Sequence, residues 1–195
     1  MLPQRACFWK RKSTLIVSDL HLGKAGHFRR HGIPIPKQIH HTDLSILHYL
    51  LQEFLPERVI LLGDLFHSTE NLEWMDFVQF LKAYPGIEFV LIQGNHDILS
   101  HYPEELKVVL RLNEHPFSFT HIREDDQLYN ISGHIHPGIT VRGTARQGMT
   151  LPCFLFSQCY AVLPAFGQFT GIKKIKHIKN DRVYAIANDS VIQLR

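Results

Sequence analysis

A chain of 195 residues that is 45% hydrophobic can bury one sizeable core, so a single domain spanning residues 1–195 is expected rather than two full ones. Its formal net charge of +3 suits a polyanionic partner but falls well short of a protein that coats nucleic acid. Three cysteines without a Cys-x-x-Cys pair argue against a disulfide framework, and no apolar run is long enough for a leader or a membrane span, which leaves a cytoplasmic protein.

In chain order, Thr14–Val17 is a short apolar run and predicts a first strand. Between Pro36 and Phe54 the residues Ile39, Leu47, Leu50, Leu51 and Phe54 share one helical face, and Pro56 lies just beyond, which predicts an amphipathic helix. Val59–Leu62 is the next strand. Leu72, Met75, Val78 and Leu81 repeat the helical spacing between Asn71 and Ala83, and Pro85-Gly86 stops it. Phe89–Ile92 follows as a strand and Pro103–Leu110 as a short helix. The chain then turns β-rich, with strand-like runs at Phe117–Thr120, Tyr129–Ser132, Ile139–Val141, Phe154–Ser157, Tyr160–Leu163, Val183–Ala187 and Val191–Leu194. An α/β first half joined to a β-rich second half predicts two packed sheets with helices on the outer faces.

Chemistry concentrates in short motifs just past these strands: Ser18-Asp19-Leu20-His21, Gly63-Asp64, Gly94-Asn95-His96-Asp97, Thr120-His121 and Gly133-His134-Ile135-His136. Ligands in open α/β sheets gather outside the carboxyl ends of strands, so motifs far apart in sequence can converge. Carboxylate, imidazole and amide oxygen together suit first-row divalent ions such as manganese, iron or zinc better than calcium. Two such ions about 3.5–4 Å apart clamp both the attacking and the leaving oxygen of a phosphoester, whose own charge repels a hydroxide. Only a few of the fourteen histidines belong to these motifs.

The order of the motifs across residues 19 to 136 resembles the calcineurin-like metallophosphoesterase superfamily, with its D-x-H, G-D, G-N-H-D/E, H and G-H-x-H pattern. The resemblance implies an α/β fold, a four-layer α/β/β/α sandwich of two mixed sheets. It implies that Asp19, His21 and His136 hold one metal, that Asn95, His121 and His134 hold the other, and that Asp64 bridges both. His96 would then act on the leaving oxygen as general acid or stabilise the phosphate charge, with Asp97 orienting it, and a hydroxide held between the ions would be the nucleophile. The fourth motif often reads Gly-His in the superfamily and is Thr120-His121 here; His115 competes for the role but precedes Pro116 in a turn-like stretch, so His121 is preferred.

The longer runs Asp19–Pro36, Gly133–Gly138 and Leu163–Gly171 resemble the ligase-associated DNA-damage-response phosphoesterases (PdeM-like), extending the match over nearly the whole chain. That narrower resemblance implies two ions, chiefly Mn2+ with Fe, Zn or Mg as alternatives. It also implies a DNA endonuclease or phosphodiesterase, with a DNA ligase, a helicase and an exonuclease as partners.

Lys24, Arg29 and Arg30 follow the first ligand motif and are either a phosphate grip or a solvated face. Phe166 and Phe169 either stack on a base at the rim or pack in the core. His67 is either a hydrogen-bond partner of the ligands or a capping residue, and Arg142 and Arg146 either extend a basic track or sit on a solvated hairpin. Lys173, Lys174, Lys176 and Lys179, interleaved with Ile172, Ile175 and Ile178, read as an ordinary amphipathic segment more readily than as a nucleic-acid patch. Two rivals remain beside the DNA enzyme: a small-molecule or cyclic-nucleotide phosphoesterase, and a catalytically silent interaction scaffold.

Overall fold

The computed structural model describes residues 1–24, 39–66, 72–99, 101–143, 148–176 and 180–194. Five strands form the first sheet: β1 (Cys7–Trp9), β2 (Thr14–Val17), β3 (Arg58–Leu61), β4 (Glu88–Ile92) and β5 (Leu106–Val109), in that spatial order. β1 is antiparallel to β2, and β2 through β5 run parallel. Helix α1 (Ile39–Phe54) lies between β2 and β3 in the chain, and α2 (Leu72–Lys82) between β3 and β4.

Alternation along the parallel strands builds two cores from one sheet, because successive side chains point to opposite faces. Leu15, Val17, Val59, Leu61, Phe89 and Leu91 pack with Leu47, Leu50 and Leu51 of α1 and Phe77 and Leu81 of α2. Ile16, Ile60, Val90 and Ile92 point the other way, against Phe119, Ile131, Phe154, Ala161 and Ile186 of the second sheet. Strands buried on both faces read as continuous apolar runs, as TLIV and RVIL do here.

The second sheet holds β6 (Leu112–Glu114), β7 (Phe117–Phe119), β8 (Tyr129–Ser132), β9 (Pro137–Arg142), β10 (Gly148–Phe156), β11 (Tyr160–Val162), β12 (Lys173–Lys174), β13 (Arg182–Ala187) and β14 (Ser190–Gln193). Its order is β12-β9-β10-β11-β8-β7-β6, with β13 on β10 and β14 on β13. β7, β8 and β11 run parallel to one another, the other main pairings are antiparallel except β12 with β9, and the sheet is therefore mixed. Its far face carries a smaller cluster of Cys153, Leu155, Val162 and Val183. The architecture is thus two mixed sheets packed face to face, with helices on the outer face of the first.

One expected element is corrected: Pro103–Leu110 is not a helix, because Leu106–Val109 is a strand paired in parallel with Phe89–Ile92. No helix among the described residues is long and apolar enough to cross a membrane.

Candidate metal centre

Each ligand motif leaves a strand at the same end of the molecule. Asp19 and His21 follow β2, Asp64 follows β3, Asn95 to Asp97 follow β4, His121 follows β7, and His134 and His136 follow β8. The loops are tied to one another by backbone: Asp19 N–H donates to the Gly63 carbonyl (3.2 Å), His21 N–H to the Asp64 carbonyl (2.9 Å), and Gly133 N–H to the His121 carbonyl (3.1 Å). Across the sheets, His134 N–H donates to Asp19 Oδ2 at 2.9 Å.

Two donor groups result, Asp19, His21 and His136 in one and Asp64, His121 and His134 in the other, each with its ligand atoms within 4.8 Å of one another. In the first, His136 Nε2 lies 3.2 Å from His21 Nε2 and 3.4 Å from Asp19 Oδ1. In the second, His121 Nε2 lies 3.3 Å from Asp64 Oδ1 and 3.1 Å from His134 Nδ1. The other oxygen of Asp64, Oδ2, faces the first group, 3.9 Å from His21 Nε2.

The hydrogen bonds behind two imidazoles show what these groups fit. His121 Nδ1 donates to the Leu62 carbonyl at 3.0 Å, and His136 Nδ1 donates to the Gly171 carbonyl at 3.1 Å. That leaves each Nε2 facing carboxylate oxygens and other ring nitrogens. Burial, then the neighbouring His121, hold the His134 imidazole below its ordinary pKa. Carboxylate oxygens and ring nitrogens converging on one point, with a carbonyl behind the ring, are the usual arrangement of metal-bound histidines. The residues therefore fit divalent ions.

The third motif splits by role. Asn95 and His96 are exposed at the mouth of the site, and the His96 ring centroid lies 5.7 Å from that of His21. His96 N–H donates to Asp64 Oδ1 at 3.0 Å. Asp97, fully buried, accepts N–H groups from Leu65 (2.9 Å), Phe66 (3.2 Å) and Gly94 (2.9 Å) on its two oxygens, so it braces the loops after β3 and β4. Burial raises its pKa, which the three donors oppose. His115 sits in the turn before β7, at the opposite end of that strand from His121.

Among the flanking candidates, Lys24 is half-buried; burial lowers its pKa, and the charges of Asp64 and Asp19 work against that. Phe166 is wholly buried in the core under α1 and offers no ring face, a correction to the rim expectation, whereas Phe169 is 36% exposed. Arg142 is exposed at the far end of β9. Arg29, Arg30, His67 and Arg146 lie outside the described residues.

Sequence reading missed a second set of contacts that holds the loop 164–171 against the first donor group. Ser18 Oγ donates to the Pro164 carbonyl (3.0 Å), while Phe166 N–H and Gly167 N–H donate to the carbonyls of Ser18 (2.7 Å) and Asp19 (3.2 Å). From behind, the Arg5 guanidinium donates to the carbonyls of Ala165 (3.3 Å) and Gly167 (3.2 Å), and buried Asp43 accepts the Gln168 N–H (3.0 Å). No motif announces Arg5 or Asp43; only the run Leu163–Gly171 hinted that this loop mattered.

Residues 12–149 match the calcineurin-like phosphoesterase family. Among solved structures, a crystal structure of Pseudomonas putida nuclease MPE is similar over 100% of this chain and 94% of its own, with 28% identity and a TM-score of 0.84. YfcE, a phosphoesterase from E. coli, aligns over 93% of this chain and 97% of its own at 11% identity and a TM-score of 0.46. No curated protein sequence matches.

Proposed function

The chain belongs to the calcineurin-like phosphoesterase family and is a metal-dependent phosphoesterase, and from that premise we propose that it is a two-metal phosphodiesterase that cleaves DNA, with manganese as the working ion. The observation that carries the reading is the pair of adjacent donor groups with Asp64 between them, its two oxygens facing one group each. The likeness to a nuclease supports a nucleic-acid substrate. Action within a repair system alongside a DNA ligase, a helicase and an exonuclease is part of the same proposal, and rests on the narrower resemblance of the runs Asp19–Pro36 and Leu163–Gly171.

When bound, two divalent ions supply positive charge to the attacking and the leaving oxygen of a diester. Asp19, His21 and His136 would hold the first, Asn95, His121 and His134 the second, and Asp64 would reach both. Only a carboxylate can offer one oxygen to each of two cations while screening their repulsion. His96, exposed at the open mouth of the site beside His21, would give a proton from its imidazole to the departing oxygen. Asp97 does not touch the reaction; it positions His96 and Asp64 by holding the backbone of both loops.

The test is manganese-dependent hydrolysis of an aryl phosphodiester beside the matching monoester, with Asp64→Ala in parallel. Diester turnover that vanishes in the variant is expected, and His96→Ala should lose about 10²- to 10⁴-fold in kcat. Turnover of the monoester alone would replace this reading with a small-molecule phosphatase, and full activity in His96→Ala would remove that residue from the mechanism.

A further inference from the structure

Strand β12 closes one edge of the second sheet and runs parallel to β9. Its register sets Lys173 opposite Pro137 and Lys174 opposite Gly138, and Lys173 N–H donates to the carbonyl of the ligand His136 at 3.0 Å. Since β9 starts directly after His136, the parallel lysine run starts beside the first donor group and leads away from it.

Packing sorts the alternating isoleucines and lysines. A side chain at Gly138 would overlap Ile172, so glycine there lets Ile172 lie against β9, while Ile175 packs on the cluster of Cys153, Leu155, Val162 and Val183. Lys173, Lys174 and Lys176 are left exposed, and none forms an ion pair with a described residue. At about 3.3 Å per extended residue the run covers roughly 10 Å, beginning about one strand spacing, 4.8 Å, from the backbone of the ligand loop. Phe169 (36% exposed) and Ile172 (41% exposed) add apolar surface at the near end of the run.

We propose that the β12 edge is a binding track for the phosphate backbone of a single DNA strand whose scissile diester occupies the metal centre. The proposal rests on the phosphodiesterase reading above and gives it a substrate class: a polymer gripped beyond the bond that breaks. Lysines make strong point contacts to phosphate without reading sequence, so binding is sequence-tolerant and salt-dependent.

The experiment measures binding of a labelled single-stranded oligonucleotide with phosphorothioate linkages to manganese-loaded protein across a salt series. The triple variant Lys173→Gln, Lys174→Gln, Lys176→Gln should bind about tenfold or more weakly, with a log–log salt slope shallower by about 2, since each phosphate contact on a single strand contributes about 0.7. Lys10→Gln with Arg11→Gln, an exposed basic pair at the opposite end of β2, should leave both readings where they were. A triple lysine-to-arginine variant should keep the slope, which separates lost charge from lost folding. Unchanged affinity and slope in the glutamine triple, or an equal change in the Lys10 and Arg11 control, would overturn the track. Aryl diester hydrolysis by the unmodified protein reports separately on the underlying function: its absence defeats that reading, whereas normal hydrolysis with unmoved slopes defeats only the track.

Discussion

Asp19, His21, Asp64, His134 and His136 all hold backbone φ between 47° and 69°, the left-handed region. Each such residue costs about 1–2 kcal/mol for an ordinary side chain, and aspartate, asparagine and histidine are the types that enter it most readily among non-glycine residues. The strain is held by the cross-loop bonds, such as Asp19 N–H to the Gly63 carbonyl, and it turns alternate side chains toward one point. Motif spacing singled these residues out, but nothing in the sequence shows the left-handed backbone, which exists only once neighbouring loops fix it. For Phe166 the sequence left rim and core equally open, and only its packing in the core under the first sheet's helices, a long-range contact, decides for burial. Gly63, with φ of 74°, sits where a side chain would overlap the His121 ring. Gly63→Ala should therefore lose about 1–2 kcal/mol or more in a urea titration and weaken metal binding measured calorimetrically. Asp97→Ala strips three backbone donors of their acceptor and should cost at least about 2 kcal/mol by the same titration, lowering diester turnover through displaced loops.

At the scale of elements, the parallel strands and both helices were readable because their apolar residues keep one period over enough length. β5 was not. Leu106, Val109 and Leu110 fall at helical spacing, but Lys107-Val108-Val109 continues the register of β4, and pairing with an exposed sheet edge outweighs a short periodic signal. For β12 the alternating lysines and isoleucines left an amphipathic strand or turn open, and the bare Gly138 opposite, which makes room for Ile172, is a contact no local pattern shows. A further link between elements lies away from the site, where Arg58 of β3 pairs with Glu88 of β4 (2.6 Å) and Glu114 of β6 (2.8 Å), joining the two sheets. Burial raises the Glu88 pKa, but the hydrogen bond and charge of Arg58, with Lys107, outweigh it and hold the carboxyl below its ordinary value. A depressed carboxyl stabilises the fold above its unfolded pKa, and that contribution is lost as pH falls through the folded value. Arg58→Ala should thus flatten the acid limb of a stability profile below about pH 4.5, with a small effect at neutral pH because the pair is part-exposed.

Across the whole molecule, neither donor group belongs to a single sheet. Asp19 and His21 come from the first and His136 from the second; Asp64 comes from the first and His121 and His134 from the second. An ion in either group therefore cross-links the sheets. Manganese at a hundredfold excess over its dissociation constant should stabilise the protein by about 2.7 kcal/mol, read as a melting temperature higher by about 5–10 °C than in chelator. The same arrangement sets when, during synthesis, the enzyme can first become active. A ribosome that has released the chain only as far as Asn95 has delivered one side of both groups, and the carbonyl of Gly171 that meets His136 comes later still. A chain cut short before that second sheet by a failed message therefore carries no assembled centre, and hydrolytic power is withheld until both sheets have met.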